Sequence, residues 1–393
     1  MKYMGSKRWM LGNGLGHLLD VTVPNAGRFV DLFSGSAAVA TFVATRHRSE
    51  VHSADLQTYS RVLSAAILER TSPLLGDRIW SKWEHAATTM RRGIRSVPGD
   101  SALTQRSVTE MRDWCARRRH LIITRAYGGH YFSAEQAVWL DALRMSIPRS
   151  LPQRTAALAA IIETAAYCAA APGHTAQPFQ PTRTAKPFLL EAWKRDPVMR
   201  TGLVFKTICA QHARLTGSAV VSDALDTAKS LRPGDLAFID PPYSGVQYSR
   251  FYHVLETIAT GYAEQVTGTG RYPHAAARPQ SDFSLVSKSA EALDNLLREI
   301  AVRGANAILT FPDHECSNGL SGAEVSQIAA NYFVVNRRVV SSRFSSLGGT
   351  SGASAAGSER AAQRQTKELI LHLRSKRRFR KSVAPSTPGR GRA

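Results

Sequence analysis

The sequence predicts an α/β protein: a Rossmann-like, mostly parallel sheet split in the chain by a mainly helical insertion. Three observations predict it. Short apolar runs alternate with helically spaced ones over 28–68, the pattern of parallel βαβ units. The strand pattern returns after Gly202. Between them lies a stretch with no strand periodicity, in which tryptophans sit among many arginines. The expected organisation is a discontinuous sheet domain over 1–72 and 202–374, an insertion over 73–201, and a disordered basic tail over 375–393.

Taken in order, 28–32 is a short apolar strand, and 37–44 is small and apolar, suited to a helix packed closely on a sheet. Residues 50–54 form a second strand, and 56–68 carry Leu, Val and Ile at helical spacing. In the insertion, Trp80, Trp83, Trp114 and Trp139 read as core, and Arg91–Arg92 and Arg117–Arg119 as basic clusters between apolar positions. Prolines and glycine mark a loop over 172–187. Beyond it, 219–222, 236–239, 307–311, 332–340 and 368–373 read as strands, with a helix over 290–302. Residues 341–358, rich in Gly and Ser, read as a mobile loop.

The chain has 393 residues, enough for a sizeable core. It carries 51 Lys and Arg against 30 Asp and Glu, a net charge of +21, and the excess persists without the basic tail. Such a balance points to a polyanion partner. No apolar run is long enough to span a bilayer, and no signal-type segment opens the sequence, so a cytoplasmic protein is expected. The four cysteines form no CxxC pair, which argues against a zinc knuckle or a disulfide framework. His314-Glu315-Cys316 is a poor metal site because adjacent side chains diverge.

The sharpest motif is Asp240-Pro241-Pro242-Tyr243, directly after the apolar run Leu236-Ala237-Phe238-Ile239. In open α/β sheets ligands bind beyond the carboxyl ends of strands. Two prolines stiffen the corner and remove two donors while keeping their carbonyls. A carboxylate, a free carbonyl and an aromatic face then lie within one turn, a set suited to an exocyclic amine on a flat ring. The second motif is Phe29-Val30-Asp31-Leu32-Phe33-Ser34-Gly35-Ser36-Ala37, where Gly35 permits a tight strand-to-helix turn. Asp55 ends the next strand, placed either to accept ribose hydroxyls or to cap a helix. The third, Lys2-Tyr3-Met4-Gly5-Ser6-Lys7-Arg8, offers Lys7 to a carboxylate or phosphate; alone, it is a basic N-terminus.

In this order the motifs resemble those of the Dam-type (alpha-group) DNA adenine-N6 methyltransferases, in which the cofactor motif precedes a target-recognition insertion and DPPY follows it. The resemblance covers about 1–72 and 202–374. It implies a fold built on an S-adenosylmethionine-dependent methyltransferase sheet, S-adenosyl-L-methionine as cofactor and double-stranded DNA as partner, with a cognate restriction endonuclease as a further partner to look for. Carried over by position, it places Tyr3 and Lys7 at the cofactor's methionine end and Asp31, Phe33 and Gly35 along the cofactor cleft. Asp55 would hold the ribose, and Asp223 would lie near the cofactor's adenine. Asp240, Pro241, Pro242 and Tyr243 would form the methyl-acceptor site. Residues 244–253 would follow as a loop over the target base, with Tyr248 and Arg250 touching base or phosphate. Where the family usually has a second glycine this chain has Ala37, tolerable if φ is negative.

Other nucleic-acid candidates stay open. The run Tyr127-Gly128-Gly129-His130-Tyr131-Phe132 reads equally as a base-reading loop or as packing under a turn, and His174 is similarly balanced. The basic run from Arg374 through Lys376 to Lys381 reads as an electrostatic tether to DNA. Adenine-N6 methylation of RNA, or a catalytically inactive DNA-binding module, are the alternative functions. Cytosine-N4 chemistry goes more often with Ser at position 240, and cytosine-C5 chemistry lacks its Pro-Cys nucleophile.

Overall fold

The computed structural model describes residues 7–99, 103–345 and 363–376. Tyr3, residues 346–358 of the expected loop, and the tail from 377 fall outside the described residues.

The chain enters through α1 (Arg8–Gly12) and α2 (Leu15–Thr22), then alternates β1 (Phe29–Asp31), α3 (Ala38–Arg46), β2 (Val51–Asp55) and α4 (Thr58–Leu68). Seven helices follow: α5 (Gly76–Arg92), α6 (Gln105–Ala116), α7 (Ile122–Tyr127), α8 (Ala134–Met145), α9 (Leu151–Cys168), α10 (Lys186–Trp193) and α11 (Pro197–Ala210). The sheet resumes with β3 (Ser218–Val221), α12 (Ala224–Ala228), β4 (Leu236–Ile239), α13 (Tyr248–Thr260), α14 (Ser289–Val302), β5 (Asn306–Pro312), α15 (Gly322–Tyr332), β6 (Phe333–Ser345) and β7 (Gln363–Ser375).

These strands form one seven-stranded sheet in the order β3-β2-β1-β4-β5-β7-β6. β1 pairs in parallel with β2 and β4, β2 with β3, and β4 with β5; β7 and β6 are antiparallel. The chain winds outward from β1 to β3, then starts again on the other side of β1 with β4. That reversal opens a crevice at the carboxyl ends of β1 and β4, the topological switch point. β1 and β4 are buried along their whole length because helices cover both faces, which is why they read as unbroken apolar runs.

Three differences from the sequence expectation have local causes. The helical region does not stop at 201: α11 runs through to Ala210, its Val204, Phe205 and Ile208 facing the insertion core. That core also takes in Tyr59, Val62 and Leu63 of α4 and Phe251, Tyr252, Leu255 and Ile258 of α13, so the insertion shares one core with a flank of the sheet domain. Tyr332 ends α15 rather than starting a strand, its hydroxyl bonded to Asp294, and β6 continues to Ser345, past the expected loop start at 341. Lys376 is held at the end of β7, where its Nζ donates to the carbonyls of Ala330 (2.7 Å) and Asn331 (3.3 Å) in the last turn of α15. It caps a helix, a use of lysine that the dipole favours, and that ammonium is spent on the fold rather than on DNA.

The Gly35 turn also departs from expectation. Both Gly35 (φ 48°) and Ala37 (φ 58°) lie in the left-handed region, so Ala37 does not have the negative φ that its methyl group prefers. The left-handed well costs an L-residue about 1–2 kcal/mol, and burial of the methyl group at 3 % exposure offsets part of that. A β-branched side chain would fit neither the backbone nor the space. Ala37→Val is expected to destabilise the fold by at least about 2 kcal/mol, and Ala37→Gly to change stability by less than about 1 kcal/mol. Urea midpoints at constant m measure both; equal midpoints for Val and Ala would show the turn to be unstrained.

Candidate active site

The carboxyl ends of β1 and β4 border a cleft of about 930 Å³, including its open mouth. Lys7, Asp31, Phe33, Gly35, Asp55, Asp223, Asp240, Pro241, Pro242, Tyr243 and Tyr248 all line it. Parallel strands ending at one edge bring these residues together from positions far apart in sequence. Lys7 is the sole cation among the lining residues, facing the carboxylates of Asp31, Asp55, Asp223 and Asp240.

Each acid is set by its backbone position. Asp55 ends β2 and accepts from the backbone amides of Gly35 (2.9 Å) and Gln57 (3.0 Å), so it fixes the glycine turn. Burial raises its pKa to about 6, although those amides work against the rise. Asp31 is almost fully enclosed, and burial pushes it up to about 8, so it is protonated at neutral pH. Asp223 caps α12 by accepting from the Leu225 amide at 2.8 Å.

Lys7 is 4 % exposed, with Nζ 3.0 Å from Asp240 Oδ1 and 2.9 Å from Glu368 Oε2. Burial alone would lower its pKa, but the two carboxylates outweigh burial and hold it firmly protonated. Asp240 also accepts from Thr310 Oγ1 at 2.9 Å. Burial raises the Asp240 pKa, with Lys7 opposing. Lys7 thus stands against the Asp240 corner, where the resemblance had assigned it to the cofactor's methionine end. Glu368 and Thr310 were not singled out in the sequence, because they reach the site from β7 and β5, far from any motif.

The proline corner is clamped from behind. Asn318, fully buried, donates to the carbonyls of Pro242 and Phe283, both at 3.0 Å. Losing that side chain would strand two acceptors, at about 1–3 kcal/mol each. No described residue donates to the Pro241 carbonyl, which remains an available acceptor. Tyr243 is 8 % exposed and meets Phe311 and Tyr248 edge-to-face, with ring centroids 6.5 and 6.4 Å away.

Of the loop expected over 244–253, only 244–247 is one: α13 begins at Tyr248 and runs to Thr260. It is tied to α4 by Glu256, whose carboxylate accepts from the amides of Thr58 (2.9 Å) and Tyr59 (3.0 Å) at the α4 N-terminus. Gln57 Oε1 and Ser249 Oγ, from these two helix starts, are buried at the cleft with no hydrogen-bond partner among the described residues. Buried polar atoms are ordinarily paired, so both are positioned to bind what enters the cleft.

Two other candidates are placed elsewhere. Tyr127 is fully buried, its hydroxyl 2.8 Å from Thr257 Oγ1; with Tyr131 and Phe132, also fully buried, it packs the insertion core rather than presenting a base-reading surface. His174 is buried against Phe251, with ring centroids 4.6 Å apart. Arg250 is exposed beside the cleft, over the ring of Tyr272. No group of three or more His, Cys, Asp or Glu among the described residues could hold a metal ion. No described helix is long and apolar enough to cross a membrane.

Against known proteins, the chain matches the model of the D12 class N6 adenine-specific DNA methyltransferases over residues 3–89 and 210–308. The two segments bracket most of the helical insertion and hold every cleft residue named from the sequence. The chain is also 25% identical over 310 residues to Modification methylase LlaI of Lactococcus lactis subsp. lactis. That alignment takes in 76% of this chain and 44% of the relative, so the chain spans less than half the length of that protein.

The Asp31 shift makes a stability prediction. A carboxyl whose folded pKa is raised to about 8 favours folding while protonated, and that contribution is lost as pH climbs from about 4 through 8. Asp31→Asn, which cannot ionise, is expected to flatten this fall. Its stability relative to wild type should rise steadily between pH 5 and pH 8.5 in urea titrations. A constant difference across that range would mean that Asp31 is ionised throughout.

Proposed function

We propose that this chain, which matches the model of the D12 class N6 adenine-specific DNA methyltransferases, is a member of that family and transfers a methyl group from S-adenosylmethionine to the N6 amino group of an adenine extruded from duplex DNA. One observation carries the reading: the Asp240–Tyr243 corner and the Gly35–Asp55 turn open into the same cleft, the first with a free carbonyl and a carboxylate, the second with a glycine-lined approach. The donor fits these residues. A sulfonium suits a predominantly acidic lining, the glycine turn admits close backbone approach, and the unpaired polar atoms of Gln57 and Ser249 offer hydrogen bonds. Lys7 and Asp31 would hold the amino-acid end, Asp55 the ribose, and Asp223 the adenine end.

When bound, S-adenosylmethionine supplies an electrophilic methyl carbon. The chain's own residues do the rest. Asp240 and the Pro241 carbonyl each accept one N–H of the target amine, which turns its lone pair out of conjugation with the ring and toward the methyl group. Asn318 and the paired prolines hold that corner rigid, so little reorganisation is left for the reaction itself. The Lys7 ammonium, 3.0 Å away, counters the upward push of burial on Asp240, and the ionised carboxylate would take up the proton that the alkylated nitrogen sheds. Tyr243 and Tyr248 supply the aromatic wall for an extruded base.

We further propose a modification role in the cytoplasm, on duplex DNA and beside a cognate endonuclease; the likeness to a modification methylase and the basic charge support this reading. Asp240→Ala is expected to lower methyl transfer to adenine-containing duplexes by at least about 10³-fold. DNA binding should stay within a few-fold, because Lys7 keeps Glu368 as a partner. Transfer of radiolabel from the donor, read beside a binding titration, checks both. Undiminished transfer by the variant would remove Asp240 from the mechanism; a wild type that binds DNA yet transfers no label would favour a binding module.

A further inference from the structure

The strand that delivers the target base must be held at the mouth of the cleft, and one surface there is built for an anion. A short hairpin after α13, closed by the pairing of Thr267 with Tyr272, carries Tyr272 at its base. The guanidinium of Arg250 lies 4.6 Å from the centre of the Tyr272 ring, and that of Arg278 lies 5.8 Å from it. Among the described residues neither arginine forms an ion pair with a carboxylate. Arg278 donates only to the Pro273 carbonyl, at 3.2 Å. Two further arginines stand behind them, equally without a carboxylate. Arg271 donates to the Ala126 carbonyl and Arg112 to the Gly129 carbonyl, so both are committed to the fold while adding positive field.

This patch adjoins the cleft directly. Arg250 follows the cleft-lining Tyr248 and Ser249 on the first turn of α13, and Arg278 precedes the cleft-lining Pro279. The two sides are locked in register: Gln247 Nε2 donates to the Ser281 carbonyl at 2.9 Å, and the Ser281 amide donates back to Gln247 Oε1 at 2.7 Å. Two like charges on one aromatic ring, with no acid between them, repel each other until an anion arrives. Cation–π contact orients the forks and leaves their N–H edges free for phosphate oxygens.

We propose that Arg250 and Arg278, braced on Tyr272, form a clamp for the backbone phosphates of the DNA strand whose adenine enters the cleft. The clamp belongs to the first turn of α13 and to the strap that follows that helix, residues 261–281, and not to the helical insertion that the sequence marked as the target-reading part. It rests on the proposed function and gives the strand its path: backbone on the arginine pair, base past Tyr248 to Asp240. Its contribution is independent of base sequence, because phosphates carry none.

The test uses the full chain and three variants, Arg250→Gln/Arg278→Gln, Arg250→Lys/Arg278→Lys and Arg46→Gln, the last an exposed arginine paired with Asp20 on the last turn of α3 that removes one charge away from the cleft and the insertion. Duplex DNA binding is titrated from 50 to 300 mM salt, beside donor binding as a fold control. The double glutamine variant should lose about two units of the slope of log K against log salt, one for each phosphate contact released. It should raise the KM for DNA, keep kcat at saturating DNA within about threefold, and bind donor as wild type does. The lysine variant should recover most of the slope, and Arg46→Gln should keep all of it. An unchanged slope in the double glutamine variant, while wild type still methylates DNA, overturns the clamp and leaves the proposed function standing. A wild type that binds no duplex overturns both. If an RNA duplex of the same sequence shows the larger loss, the clamp serves RNA and the DNA assignment fails.

Discussion

One buried ammonium organises the site. Lys7, held before α1, sits between Asp240 at the end of β4 and Glu368 on β7, within 3.0 Å of both. Bringing several carboxylates to the edge of a parallel sheet is electrostatically costly, and each left unpaired would take up a proton instead. Asp31, with no cation beside it, does so; Asp240 has Lys7. A buried pair of this kind adds little net stability, because desolvation consumes most of the attraction. Its effect is to fix where a charge stands, and here it fixes the Asp240 carboxylate at the mouth of the switch point.

Around that pair the fold supplies rigidity at each corner of the cleft. Asp55 uses its carboxylate on the amides of the glycine turn, Asn318 holds the proline corner, and Glu256 binds the start of α4 to α13. The helical insertion extends this frame, since its core runs through α4 and α13 without a break. The walls of the cleft and the insertion are therefore packed as one body, and bulk lost from Phe251 or Leu255 would be felt on both sides.

The strands and acids of the site were legible in the sequence because they are local. An apolar run followed by an acid, a glycine turn or two prolines specifies both an element and its end, and parallel pairing gathers those ends. The partners of the acids were not legible. Glu368, Thr310 and Asn318 sit in ordinary strand or loop contexts, and their meaning arises only when β5 pairs beside β4, β7 pairs beside β5, and the loop after β5 folds behind the proline corner. Helix α13 was read as a loop because Gln247 gives its start no side-chain cap, and Tyr252 breaks its helical backbone. Ala37 shows the limit of reasoning from residue type: the glycine-like backbone persists with an alanine in it. Tyr127 was undecidable until Thr257, remote in sequence, proved to be its partner.

The central claim is that the acid–proline–proline–tyrosine corner methylates an exocyclic adenine nitrogen in DNA. Nucleoside analysis by mass spectrometry, on digested DNA and RNA from cells expressing the chain in a methylation-free background, tests it most directly. N6-methyldeoxyadenosine in the DNA, absent when Asp240 is replaced by alanine, is the predicted result. N4-methylcytosine in the DNA, or methylated adenine confined to RNA, would contradict it.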